Sequence, residues 1–203
     1  MNIYAVIDTN VIVSSMMTNN PLSPTRQILE NVQEDKVTPM INDDILEEYK
    51  EVLSRTKFHF AQDDIDAILN LYNMKGVKYI PECLRKDFID LNDVIFYETY
   101  LLQRDAYLIT GNLRHFPKEP RIVSPADMVH IISITENTHD NILSASNCLY
   151  MSDTKRAILQ RAWEAAERMR ASALANGIAD MSMEEVDEEI RQYREEKRRD
   201  KLV

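Results

Sequence analysis

The sequence predicts an α/β fold: a parallel sheet flanked by helices, followed by a two-helix extension. Three observations predict it. From residue 3 to about residue 132, short apolar, β-branched runs alternate with segments of helical periodicity, the pattern of a parallel sheet with helices on its faces. Only three glycines occur, Gly76, Gly111 and Gly177, roughly a fifth of the usual ~7%, and Leu, Ile, Glu, Met and Ala are abundant, which favours helices. Beyond residue 133 the helical patterns carry no further strand.

Each element has its own warrant. Ile3–Ile7 is an apolar run bounded by Asp8 and reads as a buried strand. Ser23 followed by Pro24 opens a helix with Ile28, Leu29 and Val32 on its apolar face. Val37–Ile41 is a second strand despite Pro39. Asn42 caps a helix from Asp43 to about Leu53, with acids in its first turn. A helix from about Asp63 to Lys75 stops at Gly76, read as a C′ glycine, and Val77–Ile80 is a third strand. Asn92 caps a helix over Asp93–Arg104. Ala106–Thr110 and Arg121–Val123 are the last strands, and Pro125 opens a short helix to about Ile132. Polar residues from Ser133 to Ser152 read as a linker. Asp153–Ala175 is a long helix with Ile158, Leu159, Ala162, Trp163, Ala166 and Met169 on one broad face. Gly177 breaks it, and Ser182-x-x-Glu185 is a capping box for a second tail helix. The expected division is residues 1–133 and 134–203.

The composition excludes several functions. Glycines this far apart cannot form a dinucleotide loop or a phosphate loop. With 34 acidic and 24 basic side chains the net charge is −10, which argues against a basic coat for nucleic acid. A carboxylate-held divalent cation can still meet phosphate. Cys83 and Cys148 lack metal spacing and read as idle thiols in a reducing cytoplasm. Met1–Asp8 is no signal peptide, and no apolar stretch is long enough to span a membrane.

In an open parallel sheet, sites form at the carboxyl ends of the strands. The first strand ends in Asp8-Thr9-Asn10 and the fourth in Thr110-Gly111-Asn112; Glu48 and Asp93 lie on the intervening helices. Right-handed winding would bring Asp8, Glu48, Asp93 and Asn112 to one edge. Glu48 borders its helix's apolar face, whereas Glu47 shares a side with Lys50 and Glu51. Two carboxylates about 4 Å apart repel by roughly 4 kcal/mol at an effective dielectric near 20. Their pKa values must rise, or a cation must bind. Oxygen ligands without His or Cys suit Mg²⁺ or Mn²⁺, and such a centre suits phosphodiester hydrolysis. Thr9, Asn10 and Thr110 are placed to orient Asp8 through hydrogen bonds, and Asp90 is a further candidate supporting acid. Arg114, His115 and Lys118 are candidate RNA contacts.

Four segments resemble the signatures of the PIN-domain family: Val6-Ile7-Asp8-Thr9-Asn10-Val11, Ile45-Leu46-Glu47-Glu48-Tyr49-x-x-Val52-Leu53, Asp90-x-x-Asp93-x-x-Phe96, and Ala106-Tyr107-Leu108-Ile109-Thr110-Gly111-Asn112. The resemblance covers about residues 2–132. It implies a Rossmann-like fold and Mg²⁺- or Mn²⁺-dependent endoribonuclease activity, with Asp8, Glu48 and Asp93 holding the metal and Asn112 in the fourth site position. Many bacterial members, similar to VapC, are toxins of toxin–antitoxin pairs, so RNA, an antitoxin and further copies of the chain are the implied partners. The fourth signature usually ends in Asp, so Asn112 removes a charge and weakens the expected metal affinity. A non-cleaving PIN protein acting through its tail is the alternative. A haloacid-dehalogenase-like phosphatase is disfavoured because Asn10 replaces its second acid.

Asp180–Ile190 resembles the C-terminal segment of small antitoxins. That resemblance implies an arm that clamps a groove of the same or another copy, with Arg191 or Arg194 approaching the acids and competing with metal. The alternative is a tail that packs on its domain or dimerises.

Overall fold

The computed structural model describes residues 3–80, 91–139 and 152–200. Asp90, Cys83, Cys148 and residues 140–151 of the expected linker lie outside the described residues. Five parallel strands form one sheet: β1 (Ile3–Ile7), β2 (Val37–Ile41), β3 (Val77–Lys78), β4 (Tyr107–Ile109) and β5 (Ile122–Val123), in the order β3-β2-β1-β4-β5. Ala5 lies opposite both Pro39 and Tyr107, so β1 is the central strand. Ala5, Val6 and Ile7 are fully buried, which is why this run is continuously apolar rather than alternating.

The helices are α1 (Thr9–Met17), α2 (Pro24–Gln33), α3 (Asp43–Leu53), α4 (Gln62–Lys75), α5 (Leu91–Leu101), α6 (Pro125–His139), α7 (Asp153–Ala175) and α8 (Met183–Asp200). The Asn42 side chain caps α3 by accepting from the Ile45 amide at 2.7 Å. Tyr49 on α3 donates its hydroxyl to the Ile7 carbonyl at the end of β1. Its ring packs edge-on against Tyr72 of α4, with centroids 5.6 Å apart. These contacts fix α3 against the strand end that carries Asp8.

The structure departs from the sequence-based expectations at identifiable places. Residues 9–17 carry no obvious helical stripe, yet they form α1, which is buried on nearly every side. Burial overrides the weak helix propensity of Val11, Ile12 and Val13. The α5 helix stops at Leu101 rather than Arg104. The α6 helix runs to His139, past the expected stop near Ile132 and into the expected linker. Gly76 ends α4 in an extended conformation, φ −79°, not a left-handed one. A Cβ there would lie 2.5 Å from the Tyr72 carbonyl oxygen and 2.7 Å from Ile41, so close packing demands the glycine. Gly177 does take the left-handed conformation, φ 70°. It closes α7 with Gly177 N–H donating to Leu174 and Ile178 N–H to Ala173, at 3.2 and 2.9 Å.

The α7 helix packs against α4 and α1. Its buried stripe is Ala162, Ala165, Ala166, Met169 and Ala173. The stripe is mostly alanine, and Trp163 lies off it, 46% exposed rather than on the buried face expected for it. Arg170 is buried within this contact and donates to the Ser15 carbonyl of α1 at 3.1 Å and to Glu167 at 2.7 Å. Arg168 meets the buried Asp64 of α4 at 2.6 Å. Among the described residues, no helix is long and apolar enough to cross a membrane.

This packing makes α7 part of the folded unit. Met169→Ala is expected to lower the stability of the whole chain by about 2–5 kcal/mol, the range for deleting a buried side chain of this size, measured by urea unfolding. An unchanged main transition would show that α7 folds independently.

Candidate active site

The chain passes from β1 through β2 to β3, then crosses to β4 on the other side of β1. The carboxyl ends of β1 and β4 therefore flank a topological switch point, where open α/β sheets place their sites. Asp8 follows β1 and is 4% exposed. Its amide donates to the Ile109 carbonyl at 2.9 Å, and its own carbonyl starts α1 by accepting from Val11 at 3.0 Å. The Asp8 side chain makes no cap bond to α1 and is held by side chains instead. Thr110 donates to its Oδ2 at 2.6 Å and Asn10 at 3.0 Å. The Asn10 carbonyl oxygen accepts from the Gly111 amide at 3.0 Å. Asn10 thereby ties the two strand ends together.

Glu48 and Asp93 are also buried, whereas Glu47 is exposed. Thr9 donates to Glu48 at 2.6 Å, a different partner from the Asp8 expected for it. The neighbouring carboxylates are bridged by Arg194 of α8, whose Nη1 lies 2.7 Å from Asp93 Oδ1 and whose Nη2 lies 2.8 Å from Glu48 Oε1. Arg191 is exposed at the cleft and pairs with Glu188 of its own helix. Of the two arginines considered from sequence, Arg194 is the one that reaches the acids, and the tail packs on its own domain.

These charges perturb one another. Burial raises the Asp8 pKa to about 7, Asp93 adds to the rise, and Arg194 and Thr110 oppose it. Burial opposes the charge on Arg194, but Glu48 and Asp93 more than compensate and raise its pKa. Among the described residues, the Arg194 Nε is nevertheless buried without a hydrogen-bond partner, which costs about 1–3 kcal/mol for such a group.

Sequence reasoning assigned no site role to two further tail residues. Asp187 accepts from the Asn10 amide at 2.8 Å, and burial raises its pKa. Met183 covers Gly111, where an added Cβ would lie 2.5 Å from the methionine Cγ and Sδ. Their sequence signal is a stripe: residues 183, 187, 190 and 194 repeat at helical spacing on one face of α8.

A cleft of about 610 Å³ lies between α8 and the strand ends. Asp8, Asp93 and Asn112 line it, as do Arg114 and His115, whereas Lys118 is exposed and does not. His115 Nδ1 lies 3.2 Å from Asp93 Oδ2, and His115 Nε2 lies 2.7 Å from the Asn112 amide nitrogen. The all-oxygen donor set of Asp8, Glu48 and Asp93 suits a hard divalent cation chemically. Yet among the described residues, no three His, Cys, Asp or Glu side chains are grouped so as to hold a metal ion. Arg194 takes up the acids' oxygens instead.

The parallel sheet places buried acids at its topological switch point, where open α/β proteins bind their ligands. The family model described as PIN domain matches residues 4–114, and the chain belongs to the PIN-domain family. No curated protein and no solved structure gives a significant match. PIN domains are in general nucleases.

Thr110→Val removes the shorter of the two side-chain hydrogen bonds to Asp8. It is expected to cost about 1–3 kcal/mol in urea unfolding, the penalty for depriving a buried polar group of a partner. An unchanged stability would mean that Asn10 alone orients Asp8.

Proposed function

We propose that this protein is a metal-dependent endoribonuclease and the toxin component of a bacterial toxin–antitoxin pair, acting on RNA in the cytoplasm. The single observation that supports the nuclease reading is that the buried Glu48 and Asp93 share Arg194, with the buried Asp8 lining the same cleft as Asp93, in a PIN fold. These three residues would hold Mg²⁺ or Mn²⁺, which supplies activated water and charge stabilisation at a phosphoryl group. Thr110 and Asn10 hold the Asp8 carboxylate in one orientation. Asn112 offers a neutral oxygen at the fourth position, so metal is expected to bind more weakly than in an all-acid site. Arg114 and His115, at the cleft mouth, are the proposed contacts to the RNA backbone. The toxin assignment and self-association rest on the resemblance of residues 2–132 to VapC-like proteins and of Asp180–Ile190 to antitoxin tails.

Single-stranded RNA incubated with millimolar Mn²⁺ is expected to yield fragments with 5′-phosphate ends. Asp8→Asn should reduce the rate at least about 100-fold, the scale of losing one charge-stabilising group. Absence of cleavage by both the unaltered chain and Arg194→Gln would overturn the nuclease assignment. A second reading, a non-cleaving RNA-binding module, is favoured by the loss of charge at Asn112. RNA binding without cleavage in Arg194→Gln would support it.

A further inference from the structure

The two tail helices are attached by different physics. The α7 helix is seated by the apolar stripe from Ala162 to Ala173 against α4 and α1. The α8 helix buries only Val186, Ile190 and Tyr193 among its apolar residues. Besides the contact of Met183 with Gly111 and the Asn10–Asp187 hydrogen bond, it is fastened by charge. Glu189 meets Arg55 at 2.6 Å and Lys57 at 2.9 Å, Glu196 meets Arg55 at 2.7 Å, and Lys197 meets Glu51. Arg194 bridges Glu48 and Asp93 in the site itself.

The α8 helix also carries what it needs to leave as a helix. Ser182 and Glu185 cap each other's amides at 2.8 and 3.2 Å. Arg191 pairs along the helix with Glu188 and Glu195. The left-handed Gly177, with open space around it, lies at the turn between the two helices.

From this arrangement we infer that α8 is a built-in, releasable plug: Arg194 occupies the acids in place of a divalent cation, and cation binding requires α8 to lift while α7 stays seated. The inference rests on the reading of Asp8, Glu48 and Asp93 as the metal carboxylates. A cation held by these carboxylates would neutralise charge that Arg194 already meets at Glu48 and Asp93, so the two would compete. Glu184, Asp187 and Glu188 of α8 also line the cleft, as do its Arg191 and Arg194. Lifting the helix would uncover the acids. The ion pairs that fasten α8, several of them solvent-exposed, weaken as ionic strength rises, whereas the apolar contact of α7 does not.

Calorimetry with Mn²⁺ alone and amide hydrogen exchange on the full chain test this. Arg194→Gln is expected to bind Mn²⁺ at least about tenfold more tightly than the unaltered chain, as removal of a competitor requires. Adding Mn²⁺ to the unaltered chain should speed exchange across residues 183–200 and leave 162–173 protected. Glu189→Lys breaks the Arg55 and Lys57 pairs without touching the acids, so it should also tighten Mn²⁺ binding; it decides the matter if Arg194→Gln fails to fold by circular dichroism. Equal Mn²⁺ affinity in all three proteins, or exchange in α8 indifferent to Mn²⁺, would overturn the plug. A gain in Arg194→Gln alone would also overturn it, because Arg194 would then compete without the helix lifting. These readouts need no RNA. Loss of the nuclease assignment with intact Mn²⁺ competition would thus be seen separately.

Discussion

Buried negative charge at the carboxyl end of β1 is the constraint on which the rest of this structure depends. Asp8, Glu48 and Asp93 are all nearly inaccessible to water. A group of carboxylates in that setting must be protonated or met by positive charge. The fold does some of each. Asp8 is pushed toward protonation at neutral pH, while Glu48 and Asp93 share the Arg194 guanidinium. A buried ion pair of this kind is weak as a source of stability, yet breaking it from one side leaves an uncompensated charge, at about 3–5 kcal/mol. The acids and the tail are therefore interdependent: removing either partner strands the other.

This interdependence explains the placement of the smaller features. Thr9, Asn10 and Thr110 spend their hydrogen bonds on the acids rather than on helix caps. Asn10 bonds to Asp8, to Gly111 and to Asp187 of the tail. One amide side chain thus connects β1, the β4 corner and α8. Gly111 leaves room for Met183. The domain surface is shaped for the tail as much as for a substrate. The cleft that remains beside Arg194, lined by acids together with Arg114, His115 and Arg191, is where the proposed function places its substrate.

Much of the sheet was legible because β1, β2, β4 and β5 are short, mostly apolar and mostly buried runs between polar or turn residues, whereas the two-residue edge strand β3 is exposed. Asn42 and the Ser182–Glu185 pair were legible because capping is local chemistry. The α1 helix was not legible: its β-branched residues favour strand locally, and only burial beneath neighbouring elements makes it a helix. Trp163 was misplaced because periodicity identifies a stripe without fixing its centre. The buried face centres on Ala162, Ala165, Ala166, Met169 and Ala173, and Trp163 lies off it.

By itself the sequence determined the parallel α/β architecture, the family signatures and the acids Asp8, Glu48 and Asp93 as residues to watch. These are set by patterns within a few residues or by the order of short motifs, and both survive without coordinates. The tertiary structure alone decided that Arg194, rather than Arg191, reaches the acids, that Thr9 serves Glu48, and that Asp187 and Met183 close over the strand ends. Those pairings join residues from 39 to 177 positions apart, or choose between neighbours on one helix. The choice turns on the rotation of α8 about its axis, and that rotation is set by where Val186, Ile190 and Tyr193 find their burial.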